Sequence, residues 1–253
     1  MLVYNESEQK ESVIQDVEAY FEALWNDSLC KTKYGGDSEK FEQEREKSAE
    51  RYENLTIETP DWEARTVETK KISFVSNPTH IYGKEPYVYE ILQQLMVDAK
   101  ERVLVHTPYA VFSNDMYEGM SEVAEKNICA SSDYMKNKQK VIDTGMQLHE
   151  YMGKYSTHGK SVLIDNTIAA IGSYNFDNRS TYVDTETMLV ADSEPLAKEL
   201  ETHLNVLKEG SLPVNADGTY GENGEVKEKQ ISESKEWKIK ALSHLMWMFR
   251  YLA

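Results

Sequence analysis

Cysteine is nearly absent from this chain: Cys30 and Cys129 are the two present, too few and too far apart for a disulfide framework or the usual zinc spacings. They read as free thiols of a reducing compartment. Positive charge is also in deficit. With 28 Lys and Arg against 44 Asp and Glu the formal net charge is -16, which argues against a nucleic-acid-coating role, because phosphate backbones need clustered cations. A single local phosphate site need not follow the global sign. Long apolar runs are missing too: none reaches the roughly 18 residues of a membrane-spanning helix. Met1-Leu2-Val3-Tyr4-Asn5 is followed by acidic residues where a signal peptide would have an apolar core. A cytoplasmic chain, at most peripheral at a membrane, is therefore expected. What remains is 253 residues of 40% hydrophobic content, enough for one large domain or two modest ones.

The first 70 residues divide in two. Val13, Val17, Tyr20, Phe21, Leu24 and Trp25 recur at helical spacing and offer one apolar face for packing as core. From Tyr34 to Asn54 the sequence is almost entirely charged or polar, which predicts a solvated helical insert or linker over 34–70. From Lys71 strands and helices alternate. Strands are expected at 72–76 and 102–107, with a helix between them carrying Val88, Ile91, Leu92, Leu95, Met96 and Ala99, a βαβ pattern. A helix capped by Ser113 or Asn114 follows, then another from about Ser132 to Thr144, stopped by Gly145. No strand-like run lies between these two helices. Strands at 146–152, 158–165, 167–174 and 185–191 then lead into a helix over 194–208. Residues 211–233, rich in Gly, Asn, Asp and Pro, read as flexible loop. Residues 234–253 read as an amphipathic helix carrying Trp237, Leu242, Leu245, Met246 and Phe249 with basic flanks, fit to dock on the core or lie on a membrane surface.

Chemistry concentrates in His158-Gly159-Lys160-Ser161-Val162-Leu163-Ile164-Asp165 and Gly172-Ser173-Tyr174-Asn175. Residues two apart on a strand share a face, so His158 and Lys160 project together, and an imidazole beside an ammonium suits an anion. Val162 and Ile164 continue that face as core, which puts the polar pair at the strand's beginning. Asp165, an odd number of positions away and at the turn, is placed to orient or brace. Gly172 lets a ligand approach the backbone, and the Asn175 amide can bind the same anion. The remaining histidines have no mutual spacing that points to a metal site, and neither metal nor cofactor is expected.

These residues resemble the signature of the phospholipase D superfamily, His-x-Lys-x4-Asp followed by Gly-Ser-x-Asn, and match it completely. Asn175-Phe176-Asp177-Asn178-Arg179-Ser180 and Asp184-Thr185-Glu186 are similar to the bacterial cardiolipin synthase-like branch, as is the strand ending in Thr107-Pro108-Tyr109. The resemblance implies a mixed α/β lobe over 71–210, a mixed sheet flanked by helices. The family has a strand where this sequence shows no strand-like run, so the resemblance implies a missing sheet strand near Cys129, which would leave unpaired backbone groups. It also implies metal-free phosphodiester chemistry, in which one histidine attacks phosphorus and a second, from another lobe's motif, protonates the leaving alkoxide. Lys160, Ser173 and Asn175 would then hold the phosphate, with Glu186 and Asp165 orienting the catalytic His158 and Lys160.

That chemistry needs two motifs and this sequence has one. Residues 1–33, with Phe21 and Trp25, look like the end of a first lobe in the two-lobed members. An anionic phospholipid substrate, peripheral membrane contact and a second motif-bearing lobe are the expected partners. That lobe would come from an upstream segment, a separate chain or a homodimer. The alternatives are a catalytically silent half-enzyme or interaction subunit, or a nuclease of the same superfamily working as a homodimer.

Overall fold

The computed structural model describes residues 12–31, 39–53, 61–80, 83–124, 128–131 and 138–229, with the single positions 3 and 55. The chain falls into two compact units, residues 2–66 and residues 67–253. In the first, helix α1 spans Val13–Trp25, capped by Ser12, whose hydroxyl accepts the Ile14 N–H at 3.3 Å. Helix α2 spans Glu39–Glu53 and is charged throughout. The apolar stripe of α1, expected to be core, is not: no residue of the helix is buried. Phe21 and Trp25 stack on one another at 5.7 Å while remaining 59% and 62% exposed. An apolar face becomes core only against another apolar face, and α2, written in Glu, Lys and Arg, offers none.

The second unit runs β1 (Lys71–Ser76), α3 (Tyr87–Val97), β2 (Val103–His106), β3 (Ala110–Val111), α4 (Asn114–Ala124), β4 (Ile128–Ser131) and α5 (Lys138–Asp143). It continues β5 (Gln147–Tyr151), β6 (Ser161–Ile164), β7 (Ile168–Gly172), β8 (Phe176–Asp177), α6 (Asn178–Tyr182), β9 (Thr187–Asp192), α7 (Glu194–Glu209) and β10 (Ser211–Pro213). Eight strands form one sheet in the order β1-β9-β7-β6-β2-β4-β5-β10, and β3 pairs with β8 in a separate parallel ribbon. Neighbours from β1 to β2 are antiparallel. The pairs β2–β4 and β4–β5 are parallel, each joined through a helix as a parallel neighbour requires. The sheet is mixed and flanked by helices on both faces.

Period-two alternation divides the sheet residues between two cores. Val103, Val105, Val162, Ile164, Ala170 and Met188 pack with Leu92 and Met96 of α3 and with Met116, Met120 and Val123 of α4. Leu163 and Ala169 face the other way, onto Ala197 and Leu200 of α7. Side chains such as Leu92 and Met96, fully removed from solvent, each contribute about 1.5–3 kcal/mol of transfer free energy. Ser193 and Ser113 cap the helices, accepting N–H bonds from Leu196 and Met116 at 3.4 Å each.

Two expectations change. The strand thought missing near Cys129 is present: β4 pairs with β2, Val103 opposite Ile128, and with β5, Cys129 opposite Gln147. Ile-Cys-Ala-Ser is a short run without polar–apolar alternation, and a strand flanked on both sides needs none. The doubt about unpaired backbone groups disappears with it. The segment expected as loop from residue 211 begins with strand β10, which extends the sheet antiparallel to β5. Its Pro213 is tolerated because β10 is an edge strand. The helix expected from Ser132 is described only over Lys138–Asp143, closed by Gly145 at φ 88°; residues 132–137 and the C-terminal helix expected over 234–253 lie outside the described residues.

The topology fixes where chemistry can be assembled. Ser76 ends β1 opposite Thr187, the first residue of β9, and Gly172 ends β7 opposite Met188. Ser161 begins β6 opposite His106, the last residue of β2. The ends of β1, β7 and β2 and the starts of β9 and β6 therefore share one edge of the sheet, where all the intervening loops emerge.

Candidate active site

His158 and Lys160 stand at that edge, immediately before β6. The Lys160 Nζ lies 2.9 Å from His158 Nδ1, 3.1 Å from Nε2 and 3.0 Å from the His158 carbonyl oxygen. His158 is exposed and Lys160 is 8% exposed, so an imidazole open to solvent sits on an ammonium emerging from the core. Gly159 between them has a steric reason. A Cβ there would come within 2.6 Å of Cε1 and 2.8 Å of Nδ1 of His106, the buried residue at the end of β2. Gly159→Ala should cost about 1–3 kcal/mol by overpacking, read as a lower midpoint in chemical denaturation. The loss should shrink when His106→Ala opens the space.

The β7–β8 connection supplies the other wall. A Cβ on Gly172 would fall 2.0 Å from the Thr187 carbonyl oxygen, so the β7–β9 pairing at this point requires glycine. Ser173 donates its hydroxyl to Glu186 and accepts the Thr187 N–H at 3.0 Å. Tyr174 is fully buried, its hydroxyl 2.8 Å from Thr181 Oγ1 and its ring edge-on to Phe176, which anchors the loop on both sides of Asn175. The Asn175 amide donates to Ser180 Oγ at 3.3 Å, while its Oδ1 is sealed from solvent without a partner. Ser180 in turn donates to Glu186 Oε1 at 2.7 Å.

The role expected of Glu186 is placed elsewhere, and of the two expected of Asp165, orienting or bracing, its contacts are those of a turn brace. Glu186 was expected to hold the histidine, but its two oxygens accept Ser173 and Ser180 instead, so it braces the Ser173–Asn175 wall and acts on Lys160 through space. Asp165 sits at the far end of β6. Its carboxylate accepts the backbone N–H of Lys100 (3.1 Å), Glu101 (2.8 Å) and Arg102 (3.1 Å), and its own N–H donates to the Arg102 carbonyl at 2.8 Å. The third motif residue ties the start of β2 to the β6–β7 turn and does not touch the site. The structure brings together His158 with Lys160, and Ser173 and Asn175 with Glu186.

Residues 92–208 match the family described as "Cardiolipin synthase, PLD-like domain". The lobe is a phospholipase D-like domain. Cardiolipin synthase A of Yersinia pseudotuberculosis serotype O:1b (strain IP 31758) is 25% identical over 129 residues, covering 46% of this chain and 26% of that protein. Its counterpart from Yersinia pestis bv. Antiqua (strain Angola) gives the same figures. The chain thus spans about a quarter of the length of the curated relatives it matches. Among solved structures, the phosphatidylserine synthase of Haemophilus influenzae Rd KW20 superposes with a TM-score of 0.59 at 12% identity, over 95% of this chain and 62% of that one. Nuc of Salmonella typhimurium, a phospholipase D family member, gives 0.50 at 13% identity over 57% and 98%. At these identities the likeness is one of fold.

Charge in the phospholipase D-like site is set by burial. Desolvation lowers the Lys160 pKa, while Glu186 and Asp177 oppose it. Desolvation raises the Glu186 carboxyl above its usual range, with the Ser173 and Ser180 hydrogen bonds pulling it back. His106 is lowered, first by burial and then by Lys160, so it is neutral at physiological pH. Asn77 and Ser180 escaped the sequence reading. Asn77 donates to the Ser180 carbonyl at 2.8 Å and accepts the Val88 N–H at 3.2 Å. An Asn-Pro pair after a strand signals only a turn, and what Asn77 grips lies 103 residues away in sequence.

Proposed function

We propose that this lobe is one half of a phospholipase D-type phosphatidyltransferase or phosphodiesterase of the cardiolipin synthase kind, acting on anionic phospholipid at a membrane surface through two motif histidines. The observation that carries the reading is the solvent-open His158 ring held 2.9 Å from the Lys160 ammonium, with the Ser173–Asn175 wall on the same sheet edge. In the reaction, a ring nitrogen of the other lobe's histidine forms a bond to phosphorus as the bond to the leaving alkoxide breaks. His158, protonated, gives its proton to that oxygen. His158, now neutral, takes a proton from water or an acceptor alcohol, which displaces the histidine from phosphorus and returns the site to its starting state. Lys160 and Asn175 hold the nonbridging oxygens as charge builds on them, and Ser173 assists.

The second histidine comes from another lobe. The domain covers 98% of Nuc, so one lobe matches a whole protein of this fold, and a homodimer placing two copies of His158 on one axis is the second reading. Peripheral contact suits both, since no helix among the described residues is long and apolar enough to cross a membrane. The test is direct: incubate the purified chain with phosphatidylglycerol vesicles, alone and with a polypeptide carrying a first-lobe motif, and separate the lipids. Cardiolipin or phosphatidate is expected from a pair of motifs. Product from the isolated chain that rises with the square of its concentration selects the homodimer, and no product in any combination refutes the enzyme reading.

A further inference from the structure

Lys84 lies in the loop between β1 and α3, two residues before that helix's Pro86 cap. It is 6% exposed, yet among the described residues its ammonium has neither an ion pair nor a hydrogen bond. A charge withdrawn from water without a partner is costly, and native proteins keep one there only where a counter-charge arrives from elsewhere. The tip is not sealed, because Nζ is absent from the polar atoms cut off from solvent without a partner. The stem is buried and the head remains reachable.

Where that head lies follows from the loop's anchors. Both ends of the loop converge on Asn77. Its N–H donates to the Glu186 carbonyl at 2.9 Å, its amide reaches the carbonyls of Ser180 (2.8 Å) and Asp184 (3.4 Å), and its Oδ1 accepts Val88 N–H at 3.2 Å. The loop is thereby pinned on the Ser180–Glu186 segment, at the sheet edge where β9 begins and His158 and Lys160 stand. Asp184 is already paired with Arg179 at 3.0 Å, and Glu186 with Ser173 and Ser180, so neither carboxylate neutralises Lys84 by contact. Both act on it through space, opposing the larger effect of desolvation, which lowers its pKa. Glu186 acts on Lys160 in the same way.

We propose that Lys84 is a second cationic contact for the phosphoryl group handled by His158 and Lys160, its ionic partner being the anionic substrate rather than any side chain. The inference rests on the phosphodiester reading of that site and adds to it a residue outside the motif. It also explains why an ammonium is buried beside two carboxylates engaged elsewhere: the loop holds it ready, and the cost of desolvating it is offset only when the anion is bound.

The test measures binding of inorganic phosphate to the full chain by isothermal titration calorimetry, for the native sequence and for Lys84→Met, Lys84→Arg and Lys160→Met, with a thermal melt of each. Lys84→Met should weaken binding at least about tenfold, the size expected for a lost charge-assisted contact, while Lys84→Arg should keep affinity within about threefold. The melting temperature of Lys84→Met without phosphate should be equal to or higher than that of the native chain, since an apolar stem of similar volume carries no buried charge. Native-like affinity in Lys84→Met alongside loss in Lys160→Met overturns the proposal and leaves the site's function standing. A Lys84→Met chain that melts early or fails to fold overturns it too, because the ammonium would then have a structural partner. Failure of the native chain to bind phosphate removes both readings together.

Discussion

Replacing His158 by alanine should lower turnover of phosphatidylglycerol by at least about a thousandfold, in whichever assembly of lobes proves active. General acid–base catalysis by a positioned imidazole contributes about 10²–10⁴, and loss of a nucleophile costs more. The fold should survive the change, because His158 is exposed and, among the described residues, the hydrogen bonds of its ring go to Lys160 Nζ; a melting curve within a degree or two of the native chain checks this. Activity within tenfold of native would remove His158 from the reaction. The same variant can also say which of the two histidine roles it plays. An acid is needed only where the leaving group is a poor one. With a phosphodiester bearing a nitrophenolate leaving group, the deficit of His158→Ala should therefore shrink greatly if His158 is the proton donor. If instead it forms the bond to phosphorus, the deficit should stay as large as with the lipid. Lys160→Met gives the contrast, since a contact to nonbridging oxygens is needed whatever leaves.

What could be read in the sequence was what is local. The helical spacing of Val88, Leu92 and Met96 and the residues around Asp165 and Asn166 specify their elements without help from distant partners. The His158, Lys160, Ser173 and Asn175 set is compact enough to stand out as a pattern. What could not be read depends on what lies opposite. Four residues, Ile128–Ser131, become a strand because β2 and β5 flank them, and their own composition says little. Gly210 and Pro213 look like loop until Tyr151 and His149 are seen paired across from Ser211 and Pro213. The stripe of α1 has the periodicity of core and lacks an apolar face within its unit to become one. Glu186, expected to orient His158, accepts Ser173 and Ser180 instead, and no spacing rule shows that Ser180, six positions away, turns back to meet it. Lys84 is invisible in sequence as anything but one more surface lysine, and its burial alone distinguishes it.

Replacing Asp165 by alanine should lower stability by about 2–4 kcal/mol while leaving the reacting groups in place. Three backbone N–H groups lose a charged acceptor, and alanine must adopt the left-handed conformation that Asp165 holds at φ 51°, a further cost of roughly 1 kcal/mol. Asparagine tolerates that conformation and keeps one acceptor, so Asp165→Asn should lose about half as much. The pH dependence identifies the cause. Desolvation is the largest influence on Asp165 and pushes its carboxyl upward, but the hydrogen bonds from Glu101, Arg102 and Lys100 together hold it below its usual value of 3.8. Since the folded pKa is lower than the unfolded one, the carboxylate contributes stability that is full above the unfolded pKa and is lost as pH falls through the folded value. The native chain alone cannot show this. Glu186 and Asp177 are raised chiefly by burial, so their contribution has the opposite sign, present in acid and lost as pH rises through their folded values. His106 and His149 are lowered and remove stability as pH falls below about 6.5. All four cancel in the difference between the native chain and Asp165→Asn, measured by urea denaturation at a series of pH values. That difference should be constant from pH 8 to about 5 and vanish progressively below about 4; a difference unchanged into strong acid would mean that the ionised carboxylate is not what the three hydrogen bonds depend on.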